Sequence, residues 1–409
     1  MKTYQDLLAS SLALAFAVSA HAQTVIHIAG STAFRAATIT AIEVALSANG
    51  GTYTFAYVGT FPPVAGDEKK AIQTIFKGNV QVNGTAVPVE FKTSFYGSVG
   101  GIADLVKGLT VGTGGTAYPN GGGGWLANTN LPASGGQVIR PASNFPVDPA
   151  SVPDVTLSDC FQKSTPFTST TLSGKIIGIV PFEWVKGLVA SLDELKNITT
   201  AQAYDLLKGS FTFNGAPVYA IGSDEDSGAR VGAFENVSGG IDNGGIGPSP
   251  HASRPKQYQF APSGTPTLWP APVTVDGYTY SEAGHSGYSG DENLAIALNT
   301  ATTVPYVGYL GINDAANVNS GRNGIGFNFS GHDYYSVENV EEGFYTFWGY
   351  EHFLFLSTLN GTALSVVQQL ETIIADNASV SGVQTFGMKV HREGDGTNLL
   401  LGGTPPNEP

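Results

Sequence analysis

Short apolar runs alternate along the chain with segments of helical periodicity. Residues 24–30 (TVIHIAG) are β-branched and end in glycine, which predicts a strand. Residues 31–46 (STAFRAATITAIEVAL) begin with hydroxyl side chains and repeat apolar residues at helical spacing, which predicts a helix. The same order of strand, glycine turn and helix recurs over residues 87–109 and 217–237. This alternation predicts an α/β fold with mostly parallel sheets flanked by helices.

Further elements follow the same pattern, but two long stretches interrupt it. Strands are predicted at residues 152–160, 176–185, 304–312 and 344–356, helices at residues 192–211 and 362–378, and a loose tail after Gly394. Residues 108–150 and 239–290 are rich in Gly, Pro and Ser, which predicts two insertions of irregular structure. The second insertion also carries aromatic residues. It is either a solvated loop packed by its own tyrosines or a contact surface for a glycan or a partner subunit.

Composition narrows the functional classes. The chain has 409 residues and is 42% hydrophobic, so it can bury a sizeable core. Charged residues make up only 13% of the chain, and 19 Lys and Arg oppose 33 Asp and Glu, which leaves a formal net charge of −14. A chain this acidic repels nucleic acid and anionic membrane surfaces. Nucleic-acid binding is therefore excluded as an expected function.

The first 22 residues have the pattern of a secretory signal peptide. Lys2 supplies a positive charge, residues 7–20 are apolar but short for a membrane span, and Ala20-His21-Ala22 fits a cleavage site. We therefore expect a periplasmic or secreted protein without a lipoprotein cysteine and without direct membrane insertion after cleavage. Cys160 is the single cysteine, and with no histidine near it in sequence we expect a buried thiol rather than a nucleophile.

Three turns share one design, in which a strand ends, glycines turn the chain and a helix begins with hydroxyl residues. They are GSTAFR at residues 30–35, GSVGG at residues 97–101 and DSGAR at residues 226–230. A helix N-terminus presents unpaired N–H groups and the positive end of its dipole, and small residues let an anion approach the backbone. Each turn alone is explained by helix capping. Together the three turns predict an anion site at the carboxyl ends of the strands.

The order of these motifs resembles the phosphate-binding component of bacterial ABC uptake systems, within the type II periplasmic solute-binding proteins. The series comprises AGSTAF, YGSVGGI, LSDC, IIGIVPF, DLLKGSF, DEDSGA, PYVGYLGI and TFWGYEHFLFL. The resemblance implies a two-lobe fold that closes around its ligand. The implied divisions are a signal peptide at 1–22, a first lobe at 23–173 that returns at 344–409 with the loose tail, and a second lobe at 174–343.

The resemblance also implies which residues hold the ligand. They are Ser31, Thr32, Ala33, Phe34, Ser98, Asp159, Ser227 and Gly228. The predicted site also includes Ala229, Arg35 and Arg230, which lie in or directly after these turns but do not follow from the resemblance. In this assignment Asp159 accepts a hydrogen bond from a ligand oxygen that carries a proton. Phosphate near neutral pH carries such a proton and sulfate does not, so the carboxylate discriminates between them. Glu225 or Asp226 is a candidate second acceptor.

The sequence departs from the family at the third turn. Ser223 and Ala229 stand where the family has an arginine and a threonine. Without that arginine an anion loses a strong, charge-assisted contact. Arg35 and Arg230, each directly after a turn, are the candidates to replace it, and the alternative for both is a position on the helix surface. The expected ligand is accordingly phosphate or a related oxyanion.

These features predict a monomeric solute-binding protein for ABC-type uptake, with a separate permease, no cofactor, no metal and no catalytic activity. Two alternatives stay open. One is a cell-surface binding or structural protein on the same fold. The other is a phosphomonoester hydrolase with Ser227 as nucleophile, although such an enzyme would ordinarily need metals and the histidines lack a paired ligand spacing.

Overall fold

A computed structural model describes most of the chain. It covers residues 23–59, 65–109, 124–139, 145–148, 151–241, 253–328, 334–403 and 405–406. The predicted signal peptide and much of the first insertion lie outside the described residues.

The described elements alternate along the chain as the sequence predicts. The helices are α1 Arg35–Ser47, α2 Ser98–Lys107, α3 Thr200–Leu207, α4 Gly228–Glu235, α5 Asp291–Thr300, α6 Ile312–Ala315, α7 Val337–Glu341 and α8 Gly361–Asp376. The strands of the first half are β1 Thr24–Gly30, β2 Thr54–Val58, β3 Gln73–Val82, β4 Thr85–Phe95, β5 Gly136–Ile139, β6 Val155–Ser158, β7 Ser173–Lys186 and β8 Asn197–Thr199. The remaining strands are β9 Thr212–Phe213, β10 Ala216–Pro217, β11 Tyr219–Ala220, β12 Val273–Val275, β13 Tyr278–Tyr280, β14 Tyr306–Gly311, β15 Gly324–Asn328, β16 Trp348–Phe355, β17 Val390–His391 and β18 Leu400–Leu401.

One large sheet, flanked by helices, organises the fold and confirms the predicted α/β class. Its strands follow the order β11-β14-β7-β16-β6-β1-β4-β3-β2-β5, and β15 joins β7 to β8. Strand β1 runs parallel to β4 and β6, whereas β7 and β16 run antiparallel to each other and to their other neighbours in the sheet. The sheet is therefore mixed, and the prediction of mostly parallel sheets is wrong.

A tight hairpin is one cause of the antiparallel pairing. Strands β3 and β4 pair from Gln73 opposite Ser94 to Val82 opposite Thr85, and only two residues connect them. Those residues, Asn83 and Gly84, have φ values of 49° and 78°. An Asn-Gly pair in this left-handed region forms the turn that suits the twist of two antiparallel strands.

Strand β7 links the two halves of the sheet. Its residues up to Pro181 pair with β16, and its residues from Phe182 onward pair with β14. Gly174, where the second lobe is predicted to begin, therefore lies inside one 14-residue strand. The lobe boundaries themselves remain a prediction.

Two sequence predictions differ from the described elements. The helix expected over residues 192–211 is shorter, because Thr199 ends β8 and caps α3 in a reciprocal pair of hydrogen bonds with Gln202. The tail after Gly394 is packed through Gly403 rather than loose. Asp395 is buried and accepts a hydrogen bond from the backbone N–H of Phe161 at 2.9 Å, and β18 pairs with β17.

The described part of the second insertion is anchored to the fold. Gln257 is fully buried, and its side-chain amide donates to the carbonyls of Ser223 and Ser286 at 3.1 and 2.9 Å. Tyr309 donates its hydroxyl to the Gln257 side-chain oxygen at 2.6 Å. The insertion therefore forms a fixed wall beside the third turn, which a loop packed only by its own tyrosines would not do.

Within the described ranges, none of the helices is long and apolar enough to cross a membrane.

Candidate functional site

The first turn is formed where β1 ends between β4 and β6. Gly30 has a φ of 103°, and a Cβ there would lie 2.1 Å from the Leu157 carbonyl oxygen, so only glycine fits. Ser31 then donates its backbone N–H to the same carbonyl at 2.9 Å. Ser31 is therefore buried at the end of β1, beside Asp159, the first residue after β6.

The second and third turns lie directly against each other. Gly97 has a φ of 146°, and a Cβ there would meet the Asp226 carbonyl oxygen at 2.3 Å. Val99, in the first turn of α2, donates its N–H to that carbonyl at 2.9 Å. The N-termini of α2 and α4 are therefore locked together at one point.

Asp159 lies where the three turns meet. Ser98 donates its hydroxyl to Asp159 Oδ1 at 2.5 Å, and Ser31 Oγ lies 3.4 Å from Asp159 Oδ2. A Cβ at Gly228, the first residue of α4, would lie 1.6 Å from Asp159 Oδ1. The structure therefore brings together Ser31, Ser98, Asp159 and Gly228, as the sequence predicts.

Burial changes the acidity of Asp159. The residue is only 5% exposed, and burial raises the pKa of its carboxyl from 3.8 to about 6, against the opposing effect of the Ser98 hydrogen bond. Its proton affinity is therefore close to the range in which a ligand proton can be shared.

A second acid, Glu351 on β16, also reaches this point, and sequence reasoning missed it. Ser31 Oγ lies 3.3 Å from Glu351 Oε2 and accepts the Ala33 N–H at 3.2 Å. The Ser31 hydroxyl has one hydrogen and cannot donate to two ionised carboxylates. Glu351 is fully buried, and burial raises its pKa well above the usual range, as does the nearby charge of Asp159. The proton that completes the network therefore belongs on Glu351.

Arg35 occupies a neighbouring corner that contains the acidic side chain of Asp314 and the basic side chains of Lys69 and Lys70. It lines a cavity of about 340 Å³ together with Thr32, Ala33 and Asp314. Burial lowers the pKa of Arg35, while the charges of Asp314, Glu292 and Asp291 raise it. Arg35 is thus a candidate to bind the anion through its positive charge, from the wall of an open cavity.

Ser223, the residue for which the sequence resemblance implies an arginine, binds a carboxylate in this structure. Its hydroxyl donates to Asp291 Oδ1 at 3.2 Å, and Gly311 donates its N–H to Asp291 Oδ2 at 3.0 Å. Burial raises the pKa of Asp291 to about 6, and the charge of Asp159 contributes. The carboxylate of Asp291 therefore lies beside Ser223, the position at which an arginine would place a positive charge.

Arg230 is buried rather than on the helix surface, and its guanidinium contacts the second insertion. Its guanidinium donates from Nε and Nη2 to the His285 carbonyl at 3.2 and 3.0 Å. It lies 4.6 Å from the centre of the Phe234 ring and 5.4 Å from that of Tyr280. The side chain is completely buried. Arg230 therefore joins α4 to the second insertion.

The other predicted residues divide between core and cavity. Phe34 and Ala229 are buried in the hydrophobic core, so only their backbone atoms can serve a ligand. Ser227 is half-buried and caps α4, since its hydroxyl accepts the Arg230 N–H at 3.3 Å. Glu225, a candidate second acceptor, instead accepts from Ser286 at 3.2 Å on the insertion side.

The other candidate second acceptor, Asp226, lies beside α2. Its Oδ1 is 3.1 Å from the place where a Cβ on Gly100 would lie. The residue is 2% exposed, so its carboxylate packs against that helix rather than facing an open cavity.

Residues bearing on the alternative of catalysis are also placed. Burial lowers the pKa of His285 and of His352 to about 3, so both are neutral near pH 7. His251 and His332 lie outside the described residues. Cys160 is the predicted buried thiol, and burial raises its pKa well above the usual range.

The structure is similar to solved structures of ABC-type phosphate receptors. One, from Vibrio cholerae, is 12% identical, with 86% of this chain and 98% of that chain covered and a TM-score of 0.43. PstS from Borrelia burgdorferi is 11% identical, with 88% and 98% covered and a TM-score of 0.40. No known family model and no curated protein matches the sequence. Any function must therefore be argued from the residues of this chain.

Proposed function

We propose that this protein is a solute-binding protein that captures phosphate, or a related oxyanion carrying a proton, where its three turns meet. The observation that carries the proposal is the convergence of Ser31, Ser98 and Gly228 on the buried carboxylate of Asp159. Two hydroxyls and the N-termini of α2 and α4 face one carboxylate there. This set of donors with one acceptor suits an anion that also has a hydrogen to donate.

Capture requires the ligand to replace contacts that the residues make with one another. The 2.5 Å bond between Ser98 and Asp159 must open so that Ser98 donates to a ligand oxygen. Asp159 then accepts from a ligand hydroxyl, and Ser31 donates to a second ligand oxygen. The exchange keeps buried polar groups paired, which limits the cost of binding.

The surrounding charge selects the protonated ligand. Asp159 and Asp291 are buried near the site, and Asp314 is half-buried. Arg35 is a cation on the adjoining wall, which Lys69 and Lys70 also line. A fully ionised oxyanion such as sulfate would oppose its lone pairs to those of Asp159. Phosphate avoids this repulsion by donating its proton. Neutral Glu351 supports the site, since it orients Ser31 without adding negative charge.

The wider role follows from this chemistry and from the sequence. We assign the protein to the periplasm or the exterior of the cell as a monomer that delivers its ligand to an ABC permease. Binding requires no cofactor. The two predicted lobes would close over the ligand because the closed state completes its contacts.

Calorimetric titration of the purified protein with phosphate, sulfate and glycerol phosphate tests the proposal. We expect saturable 1:1 binding of phosphate at pH 7 and no binding of sulfate at the same concentration. Absence of phosphate binding, or equal affinity for sulfate, would contradict it.

A further inference from the structure

The second insertion forms a cavity that the proposed anion site does not use. It has a volume of about 690 Å³, which is the size of a small-molecule site. One wall is aromatic and comes from Phe260, Trp269 and Tyr288. The opposite wall is one face of α5, where Ile296 is 55% exposed. This exposed apolar side chain lets the α5 wall pack against the apolar part of a ligand.

Hydrogen bonds and ring packing fix the insertion wall of this cavity. Its Tyr288 forms a backbone bridge to Ser223, and the buried side chain of Gln257 donates to the carbonyls of Ser223 and Ser286. Trp269 stacks edge-on against Tyr288 with ring centres 5.4 Å apart. The aromatic surface is therefore held in place before any ligand arrives, which reduces the entropic cost of binding.

Two polar atoms in this cavity wall have no partner among the described residues. They are Trp269 Nε1, a donor, and Glu225 Oε1, an acceptor. Glu225 is 3% exposed, and its other oxygen accepts from Ser286 at 3.2 Å. Buried polar atoms normally find partners, so a missing partner on each of two side chains in one cavity indicates a ligand that supplies both.

The chemistry of these two atoms selects the class of ligand. An ammonium group has no acceptor for Trp269 Nε1, and a fully ionised oxyanion has no donor for Glu225. Among the described lining residues there is no Lys or Arg, so an anion would meet the carboxylates of Glu225 and Asp224 with no cation in the cavity wall to bind it. A hydroxyl group both donates and accepts. A neutral sugar combines several hydroxyls with an apolar C–H face that packs on an aromatic ring.

We propose that the cavity between the insertion and α5 is a second binding site, which takes a neutral saccharide stacked on Trp269 and bonded to Glu225. The site lies behind the third turn and does not include Ser31, Ser98 or Asp159. Its occupation therefore does not depend on phosphate binding.

Tryptophan fluorescence and calorimetry with glucose, cellobiose and cellohexaose test this proposal. Trp125, Trp184 and Trp348 are completely buried, so a ligand-induced change in emission reports on Trp269. We expect millimolar or tighter binding of at least one saccharide. Equal binding of glucose and the longer sugars identifies a free sugar as the ligand, whereas affinity that rises with length identifies a polysaccharide chain.

Variants separate this site from the anion site. Trp269→Ala is expected to weaken saccharide binding about tenfold or more, and Trp269→Phe less, since it keeps a ring and loses the donor. Glu225→Gln is expected to weaken it severalfold. Phe386→Ala, at a side chain that is 84% exposed elsewhere, is the matched control.

Phosphate titration of the same samples shows that each variant is folded and that the first site is intact. The proposal is overturned if none of the three saccharides binds, if choline binds instead, or if Trp269→Ala leaves saccharide binding unchanged.

Discussion

The first and third turns have the same local sequence design, yet the structure uses their arginines in opposite ways. Arg35 follows the first turn and lines an open cavity with Thr32 and Asp314. Arg230 follows the third turn, is completely buried and donates to the His285 carbonyl. The difference comes from what covers each turn, because the second insertion packs over the third turn and closes it.

This comparison teaches that the position of a charge after a turn does not decide its role. A guanidinium at a helix start can serve a ligand or join two segments, and its hydrogen-bond partners distinguish these cases. Arg230 already donates from Nε and Nη2 to the backbone carbonyl of His285. Arg35 donates its backbone N–H to the Thr32 carbonyl at 3.4 Å, but its guanidinium makes no hydrogen bond or ion pair to another described residue and so can meet an anion.

Removal of the buried arginine should have the largest effect. Arg230→Met leaves the His285 carbonyl and Asp224 without their cationic neighbour, and breaking such a buried arrangement costs about 3–5 kcal/mol. Denaturant unfolding is expected to show that loss of stability for Arg230→Met and a change under about 1 kcal/mol for Arg35→Met. Equal stability of the two variants would remove the distinction between the arginines.

Removal of the cavity arginine should affect binding instead. Arg35→Met is expected to weaken phosphate binding about 10- to 100-fold, because it deletes a charge-assisted contact to the anion. Calorimetry measures the change, and Arg322→Met, on an exposed residue, is the control. An unchanged dissociation constant for Arg35→Met would exclude Arg35 from the site.

Removing the hydroxyl of the second turn should affect ligand binding, whereas removing that of the third turn should also affect stability. Ser98→Ala removes a buried donor and is expected to weaken phosphate binding by about 1–3 kcal/mol. Ser227→Ala removes a helix cap and is expected to cost about 1 kcal/mol of stability in addition to any loss of affinity. Ser47→Ala, at an exposed serine, is the control for both variants. Full affinity in both turn variants would contradict the proposed site.

The pH dependence of stability tests the burial of Asp159. Its pKa is about 6 in the folded protein against an ordinary 3.8, so the folded state binds a proton that the unfolded state lacks between these values. This contribution is fully present below pH 3.8 and is lost as pH rises through 6. It amounts to about 3 kcal/mol.

The free energy of unfolding of Asp159→Asn should therefore depend less on pH than that of the wild type, and sulfate should compete better with phosphate in the variant. Parallel pH profiles of the two proteins would mean that Asp159 is not desolvated.

The smallest effect is expected at Glu351. Since this acid is protonated in the network, Glu351→Gln keeps a neutral donor of similar shape and should change phosphate affinity and stability by less than about 1 kcal/mol. A large change in either quantity would indicate that Glu351 is ionised.

Much of the fold could be predicted from local sequence signals. The strand and helix patterns locate β1, α1, β4, α2, β16 and α8, because each combines clear periodicity with a glycine or hydroxyl boundary. The β3–β4 hairpin was missed although Asn83-Gly84 is a strong turn signal. The antiparallel entry of β16 depends on the path of the whole chain, which no local pattern contains.

The candidate site was predictable in part for the same reason. Turn motifs identify Ser31, Ser98 and Gly228, and the family resemblance adds Asp159. The fold then brings the four residues together. Glu351 was missed although a charged residue inside an aromatic strand is a visible anomaly. The fate of Arg230 could not be predicted, because it depends on an insertion whose packing is set by distant residues such as Gln257.

A crystal structure of the protein grown with phosphate near pH 7 tests the central claim most directly. We predict one phosphate in contact with Ser31 Oγ, Ser98 Oγ and the N–H of Gly228, with Asp159 accepting a hydrogen bond from the ligand and no longer bonded to Ser98. Phosphate bound elsewhere, with the bond between Ser98 and Asp159 intact, would contradict the claim.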